Sequence, residues 1–356
     1  MLNIKTLEYK NERLIILDQT LLPRREEYLE LETGEAVFEA IQLLRVRGAP
    51  AIGVAAAYGI IVALGDAKGR NYEELLEEFR QAKDYLAGAR PTAVNLFWAL
   101  DRMERKMLSL GDGLCMEPPW KQEKDYILDE LLKEAQKIHE EDRAACLAMG
   151  EYGLELLKPG MGLLTHCNAG ALATTGYGTA LAPMHLGQER GYNFHVFADE
   201  TRPLLQGSRL TAWELKKSGV DVTLICDNMA SVVMKSGQID AVLVGCDRMA
   251  ANGDGANKIG TATLAVLAKE FDIPFYMFVP TSTIDMSISN GKEIVIENRK
   301  EEEVYRLWYR EDMAPRGIKV FNPAFDVTDH QYITGVVTEK GVVFPPFEEN
   351  FQKILG

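Results

Sequence analysis

The stretch GLLTHCNAGALATTGYGTAL, residues 162–181, begins as a short apolar run and turns at Cys167 into a segment crowded with Gly, Ala, Thr and Asn. A run of that length, ended by small and polar residues, reads as a buried strand passing through a turn into a helix. Four similar runs follow: FHVFAD (194–199), DVTLIC (221–226), DAVLVGC (240–246) and PFYMFVP (274–280). Helical patterns between them are expected to start near Leu172, Ser208, Met229 and Gly260. Strands alternating with helices predict right-handed βαβ units and a doubly wound, mostly parallel α/β sheet. The β-rich ITGVVTEKGVVF (333–344) is placed to extend it.

Upstream the pattern is different. IKTLEYKNERLIILDQT (4–20) reads as a hairpin joined through Lys10, Asn11 and Glu12, and helical spacing follows from Glu35 to Val46. AIGVAAAYGIIVAL is apolar all round and reads as a buried helix, with Pro50 suited to its first turn. YEELLEEFRQAKDYLAG, TAVNLFWALDRMERKML and a charged helix from about Lys124 to Gly150 complete the series. The Gly- and Pro-rich GDGLCMEPPW (111–120) suggests a loop close to a boundary. The expected organisation is therefore a smaller, mainly helical domain with a short antiparallel β element at 1–122, then the doubly wound α/β domain at 123–356.

Composition narrows the function. A formal net charge of -14, with no Lys/Arg run, argues against a nucleic-acid groove and leaves room for a small anion in a locally basic pocket. Five cysteines, an odd number with no CxxC pair and no zinc-like Cys/His spacing, point to a reduced, cytoplasmic protein. Neither a signal-peptide layout nor an apolar run long enough to span a membrane is present in the sequence.

In an open α/β sheet the ligand crevice lies beyond the carboxyl ends of the strands. Cys167, Asp199, Glu200, Asp227 and Asp247 all fall at such ends. A helix start just beyond Cys167 would favour its thiolate, against the bland alternative of a small buried hydrophobe. Cys226 and Cys246 are each followed by an acid and read as packing residues. Asp247 opens DRMAANGDGANKIGT, whose flexible loop, Lys258 and following helix start suit an oxyanion or sugar hydroxyls. An Asp enclosed there would act as a general acid; the bland alternative is a solvated Asx turn. VRGAPAIG, ARPTAVN and ETRPLLQGSRLTAWEL put Arg47, Arg90 and Arg202 ahead of prolines that could open helices, an arrangement suited to phosphate. Gln206 offers both a donor and an acceptor to a hydroxyl. His166 is expected to be a satisfied structural histidine, since on a strand it points away from Cys167. No GxGxxG follows the first strand, which counts against a dehydrogenase.

RGAPAIGVAAAYG, RPTAVNLFWAL, THCNAGALATTGYGTAL, ETRPLLQGSRLTAWEL, DNMA and VGCDRMAANGDGANKIGT resemble, in order and over nearly the whole chain, the S-methyl-5-thioribose-1-phosphate isomerases of methionine salvage. That family also includes the regulatory subunits of the eukaryotic translation-initiation guanine-nucleotide exchange factor, which share the fold but lack the catalytic constellation. The resemblance implies a catalytic Cys167, a proton-donating Asp247, and Arg47, Gly48, Ala49, Arg90, Gln206, Asn257 and Lys258 around a sugar phosphate. It further implies a smaller amino-terminal domain that contributes Arg47 and Arg90, a Rossmann-like carboxy-terminal domain, and a homodimer with no metal or nucleotide cofactor. Two departures are Ser208, where alanine is usual, and FDVTDHQYIT, where a proline often follows the threonine. An isomerase of 5-deoxyribose 1-phosphate and a non-catalytic regulatory-type subunit are the competing expectations.

Overall fold

The computed structural model describes residues 4–91, 93–111 and 120–356. The expected boundary loop GDGLCMEPPW, with Cys115, lies almost wholly outside the described residues. Two compact units emerge. The amino-terminal one comprises Ile4–Ala144 and Ala171–Gly176, and the carboxy-terminal one comprises Ala145–Gly170 and Tyr177–Gly356.

In the amino-terminal unit, strands β1 (Leu7–Lys10), β2 (Arg13–Leu17) and β3 (Tyr28–Leu31) form an antiparallel sheet. Asn11 and Glu12, both left-handed at φ 51° and 62°, make the tight turn between β1 and β2. Five helices follow: α1 (Gly34–Gln42), α2 (Ala49–Leu64), α3 (Tyr72–Ala87), α4 (Val94–Gly111) and α5 (Trp120–Glu155). Thr33 and Asn71 cap α1 and α3 by accepting from Ala36 N and Glu74 N. As its sequence predicts, α2 is buried from Ala51 to Val62 and forms the centre of this core.

The sequence places the domain boundary at 122/123, whereas the units divide inside α5, between Ala144 and Ala145. The physical reason is that one helix serves two cores. Ile127, Leu131, Ala135 and Ile138 pack in the amino-terminal core, and Met149 and Leu154 in the carboxy-terminal one.

The carboxy-terminal unit contains β4 (Gly162–Thr165), β5 (His195–Asp199), β6 (Asp221–Ile225), β7 (Ala241–Gly245), β8 (Arg248–Ala250), β9 (Gly255–Lys258), β10 (Phe275–Phe278), β11 (Ile284–Asp285), β12 (Phe325–Thr328), β13 (Gly335–Thr338) and β14 (Gly341–Val343). Its helices are α6 (Ala182–Glu189), α7 (Ala212–Lys217), α8 (Ala230–Lys235), α9 (Thr261–Glu270), α10 (Glu302–Tyr305) and α11 (Phe347–Leu355). All five expected strands pair parallel in a seven-stranded sheet ordered β14-β13-β10-β7-β4-β5-β6, which β13 extends parallel and β14 antiparallel. Side chains alternate between two cores, as a strand's period of two requires. Leu164, Val242, Val244, Phe275 and Met277 join residues of α8, α9 and α11, while Leu163, Leu243, Tyr276 and Phe278 join residues of α5, α6 and α7. Helices therefore cover both faces. A smaller sheet, β11-β8-β9-β12, was not foreseen.

The helix expected near Leu172 begins instead at Ala182. The residues between are spent elsewhere: Ala171 and Leu172 offer their carbonyls to Thr6 Oγ1 (2.5 Å) and Gln19 Nε2 (2.7 Å), and Thr175 donates its N–H and hydroxyl to Asp142 Oδ2 (2.7 and 2.5 Å). All these partners lie in the amino-terminal unit. Burial pushes the Asp142 carboxyl above the usual carboxylate range, and the Thr175 bonds only partly offset it.

Candidate functional site

Strand order fixes where a site can form. From β4 the chain moves to β5 and β6 on one side, then returns to β7 and continues to β10 and β13 on the other. The switch point of the sheet thus lies between β4 and β7, the place where α/β sheets open a crevice beyond their carboxyl ends. Leu163 pairs with Ala241 and Leu164 with Val242, so Cys167, two residues past β4, and Asp247, two residues past β7, emerge from neighbouring strands. Such strands run about 4.8 Å apart.

Cys167 is half-buried and held at φ 63°. Its N–H donates to Thr201 Oγ1 (2.8 Å) and its carbonyl accepts from Thr211 Oγ1 (2.6 Å). Asn168 donates to Thr211 Oγ1 and to Glu214 Oε2, both at 3.1 Å, and the buried Glu214 also meets His185 Nε2 at 3.1 Å. No helix starts at Cys167, so the expected aid from a helix terminus is absent at this thiol; side-chain hydroxyls hold its backbone instead. Of the other two strand-end cysteines, Cys246 packs against the core, whereas Cys226, expected to be a packing residue, is exposed because it follows β6 at the edge of the sheet. Burial, then Asp247, pushes the Cys246 thiol far above its ordinary range, while Cys226 is raised chiefly by Glu200.

Asp247 is exposed, where the sequence reading called for an enclosed acid. The loop expected after it is a hairpin of β8 and β9, and Asn257 and Lys258 lie on β9, opposite Asp326 and Phe325 of β12. The anion site foreseen at the following helix start is corrected as well: Asp326 accepts from Gly260 N (2.8 Å) and Ala262 N (3.1 Å), so a carboxylate of the chain already occupies those amides. Asn257 donates to Thr261 Oγ1 (2.9 Å), and Lys258 Nζ lies 4.4 Å from the Phe325 ring centre. Gln206 is buried, and its Oε1 has no hydrogen-bond partner among the described residues, a vacancy suited to a ligand hydroxyl.

In the amino-terminal unit Arg47 and Arg90 are both half-buried. Only the first of the three Arg-Pro stretches opens a helix at its proline: Pro50 lies in the first turn of α2, whereas α4 begins at Val94 and the turn containing Pro203 precedes its helix. Gly48, the N-cap of α2, has φ 90°, and a Cβ there would lie 2.4 Å from Ala173 Cα. Ala49 starts α2. Arg202 is spent on the protein, donating to the Val304 and Pro203 carbonyls with its guanidinium 5.8 Å from the Tyr309 ring centre.

What sequence reasoning missed is the layer behind Cys167. His166 Nδ1 lies 2.9 Å from Asp199 Oδ2 and 4.0 Å from Asp227 Oδ1, its Nε2 lies 2.8 Å from the Ile259 carbonyl, and Asp227 accepts from the N–H groups of Thr201 and Arg202 (both 2.7 Å). These acids are close enough to share a cation with His166, but the ring nitrogens are engaged with Ile259 and Asp199, so the cluster is a proton-sharing network. Asp254, Asp329 and His330 are likewise bonded among themselves and to backbone. The signal was in the sequence: a histidine and two acids end three adjacent strands.

Residues 45–345 match the family model described as Initiation factor 2 subunit family. The chain belongs to that family. Within the family, it is 59% identical over 349 residues, 98% of this chain and 95% of the relative, to a protein of Symbiobacterium thermophilum named methylthioribose-1-phosphate isomerase. It is 58% identical over 352 residues, 99% of this chain and 98% of the relative, to one of Petrotoga mobilis named 5-deoxyribose 1-phosphate isomerase. The crystal structure of 5-methylthioribose 1-phosphate isomerase from Pyrococcus horikoshii OT3 superposes with a TM-score of 0.91 at 46% identity, covering 99% of this chain and 95% of that one. Among the described residues no helix is long and apolar enough to cross a membrane.

Proposed function

We propose that this chain is an aldose-ketose isomerase that converts S-methyl-5-thio-α-D-ribose 1-phosphate to S-methyl-5-thio-D-ribulose 1-phosphate in methionine salvage. The observation that carries the reading is the emergence of Cys167 and Asp247 from the two strands flanking the switch point, in a chain similar along its full length to isomerases of this sugar phosphate. Because phosphate on the anomeric oxygen blocks simple ring opening, Asp247 donates a proton to the ring oxygen as its bond to C1 breaks, and Cys167 assists transfer of hydrogen from C2 to C1. The proton leaving the C2 hydroxyl as it becomes the carbonyl balances the one donated. The exposure of Asp247 calls for the substrate itself to exclude water from this carboxyl on binding. Arg47, Gly48, Ala49, Arg90, Asn257 and Lys258 bind the phosphate and ring, and Gln206 takes a sugar hydroxyl. The enzyme works as a cytoplasmic homodimer without metal or nucleotide cofactor.

The second reading, isomerisation of 5-deoxyribose 1-phosphate, is favoured by the relative of that name at 58% identity. A methyl group in place of methylthio changes affinity in an apolar pocket by only ~1 to 3 kcal/mol. A nuclear magnetic resonance time course with both sugars at equal concentration separates the two. Faster conversion of the thioether sugar is the expected result; preference for the deoxy sugar moves the assignment, and conversion of neither by folded protein returns the chain to a binding role.

A further inference from the structure

The buried ring of His166 has its protons fixed by what surrounds it. Its side chain is 1% exposed. A carbonyl can only accept, so Nε2, 2.8 Å from the Ile259 oxygen, carries a hydrogen. Nδ1 faces a carboxylate oxygen of Asp199 at 2.9 Å, and a bare nitrogen there would set lone pair against lone pair. A second proton therefore sits between His166 and Asp199. Three carboxylates decide its owner. Asp199 stands at the end of β5, Asp227 follows β6 with Oδ1 4.0 Å from Nδ1, and Asp326 on β12 acts on the ring through its charge. The N-terminus of α9 comes close as well, a Cβ on Gly260 falling 2.8 Å from His166 Cε1, but its amides are occupied by Asp326. Burial opposes charge on the ring; the Asp199 hydrogen bond and the charges of Asp199 and Asp227 outweigh it, so the His166 pKa is raised.

The Asp227 carboxylate and the backbone carbonyl of Asp199 also hold the neighbouring residue of the site. Cys167 at φ 63° and Thr201 at φ 64° are both in a conformation that costs a non-glycine residue about 1 to 3 kcal/mol. The Cys167 N–H is held by the Thr201 hydroxyl, which donates to the Asp199 carbonyl (3.2 Å), and the Thr201 N–H is held by Asp227 Oδ1. Without a cation between them, Asp199 and Asp227 repel each other, and the threonine that fixes Cys167 loses its support.

We infer that His166 is a positioning residue of the isomerase, an imidazolium protonated on both ring nitrogens that keeps Asp199 and Asp227 together and, through Thr201, holds the Cys167 backbone left-handed. Its link to catalysis rests on the reading of Cys167 above; the proton count rests on geometry alone. Since the folded pKa is raised, the contribution is complete below the ordinary histidine pKa and is lost as pH rises through the raised value.

The test uses full-length protein labelled with 15N-histidine, the His166 signals being assigned by their loss in His166→Gln. Both ring nitrogens are expected to stay protonated above the pH at which an ordinary histidine loses its charge, with slowly exchanging N–H protons; an Nδ1 unprotonated there overturns the inference. In folded His166→Gln, kcat should fall by roughly 10²-fold with KM little changed. The alkaline limb of kcat that coincides with His166 deprotonation in the wild type should vanish. Alkylation of Cys167 by iodoacetamide, resolved by mass spectrometry, should show the same limb in the wild type and lose it in the variant. An unchanged limb in both assays sinks the positioning role. Magnetic resonance and alkylation need no substrate, so a wild-type chain that turns over neither sugar rejects the isomerase reading while these two measurements still decide the inference.

Discussion

At the scale of the residue, Cys167 and Asp247 are held very differently. The backbone of Cys167 is fixed from both sides by Thr201 and Thr211, whereas Asp247 is exposed and contributes its N–H to the Ala256 carbonyl (2.9 Å) through the main chain, which any side chain would retain. Replacing the exposed Asp247 carboxyl by an amide of the same shape keeps this backbone bond and removes only the acid. Asp247→Asn should lower kcat by about 10² to 10⁴, the range lost with a general acid, and leave the melting temperature within a degree or two of wild type. Turnover near the wild-type value would remove Asp247 from the acid role. A fall in melting temperature to match the lost activity would instead make it structural.

At the scale of the element, the first segment after Cys167 matters more than a helix would. Ala171–Gly176 packs at the start of α2, with Ala173 against Gly48 and Thr175 on Asp142 of α5. Gly48→Ala meets both a positive φ and backbone atoms at 2.4 Å, so it should destabilise by at least about 1 to 3 kcal/mol, read from the urea midpoint. Thr175→Val removes one of two donors to a desolvated carboxyl and should cost about 1 to 3 kcal/mol where that acid is ionised. Because the folded pKa of Asp142 is raised, that penalty should shrink as pH falls through it and the acid becomes neutral; a penalty independent of pH would show that the charge is not involved. This segment also marks the limit of what could be read from sequence. The central parallel strands β4, β7 and β10 were legible because strands buried on both faces are nearly unbroken apolar runs. The segment itself is apolar enough to pass for a helix start, and only long-range partners such as Thr6, Gln19 and Asp142 reveal its true use. β3, β8, β9, β11 and β12, all short, offered too few alternations to be recognised. The placement of Cys167 and Asp247 beside the switch point was legible because both follow apolar strand runs; the exposure of Asp247 was not, since it depends on how the β8-β9 hairpin leaves the strand.

At the scale of the whole molecule, the chain is interleaved in sequence. The amino-terminal unit needs residues before Ala144 and also Ala171–Gly176, so neither the expected cut at 122/123 nor any other single cut reproduces it. Fragments measure what each part supplies. Fragment 1–122 lacks Ile127, Leu131 and Ile138, three large side chains at most 2% exposed, which at ~1.5 to 3 kcal/mol each contribute roughly 5 to 9 kcal/mol. That is comparable with the entire stability of a domain, about 5 to 15 kcal/mol, so 1–122 should show no cooperative unfolding. Fragment 1–144 regains those side chains but leaves Thr6, Gln19 and Asp142 without their partners from Ala171–Gly176. It should unfold cooperatively at a reduced temperature, and a peptide spanning residues 168–179 should raise that temperature with peptide concentration, as binding to the folded state alone requires. Fragment 145–356 keeps every strand of the seven-stranded sheet and both of its cores, and should melt cooperatively by circular dichroism. Fragment 123–356 carries the apolar stripe of α5 uncovered, so sedimentation should show it associating where 145–356 does not. If 1–122 folded as well as 1–144, α5 would be a connector and the division inside it would have no energetic meaning.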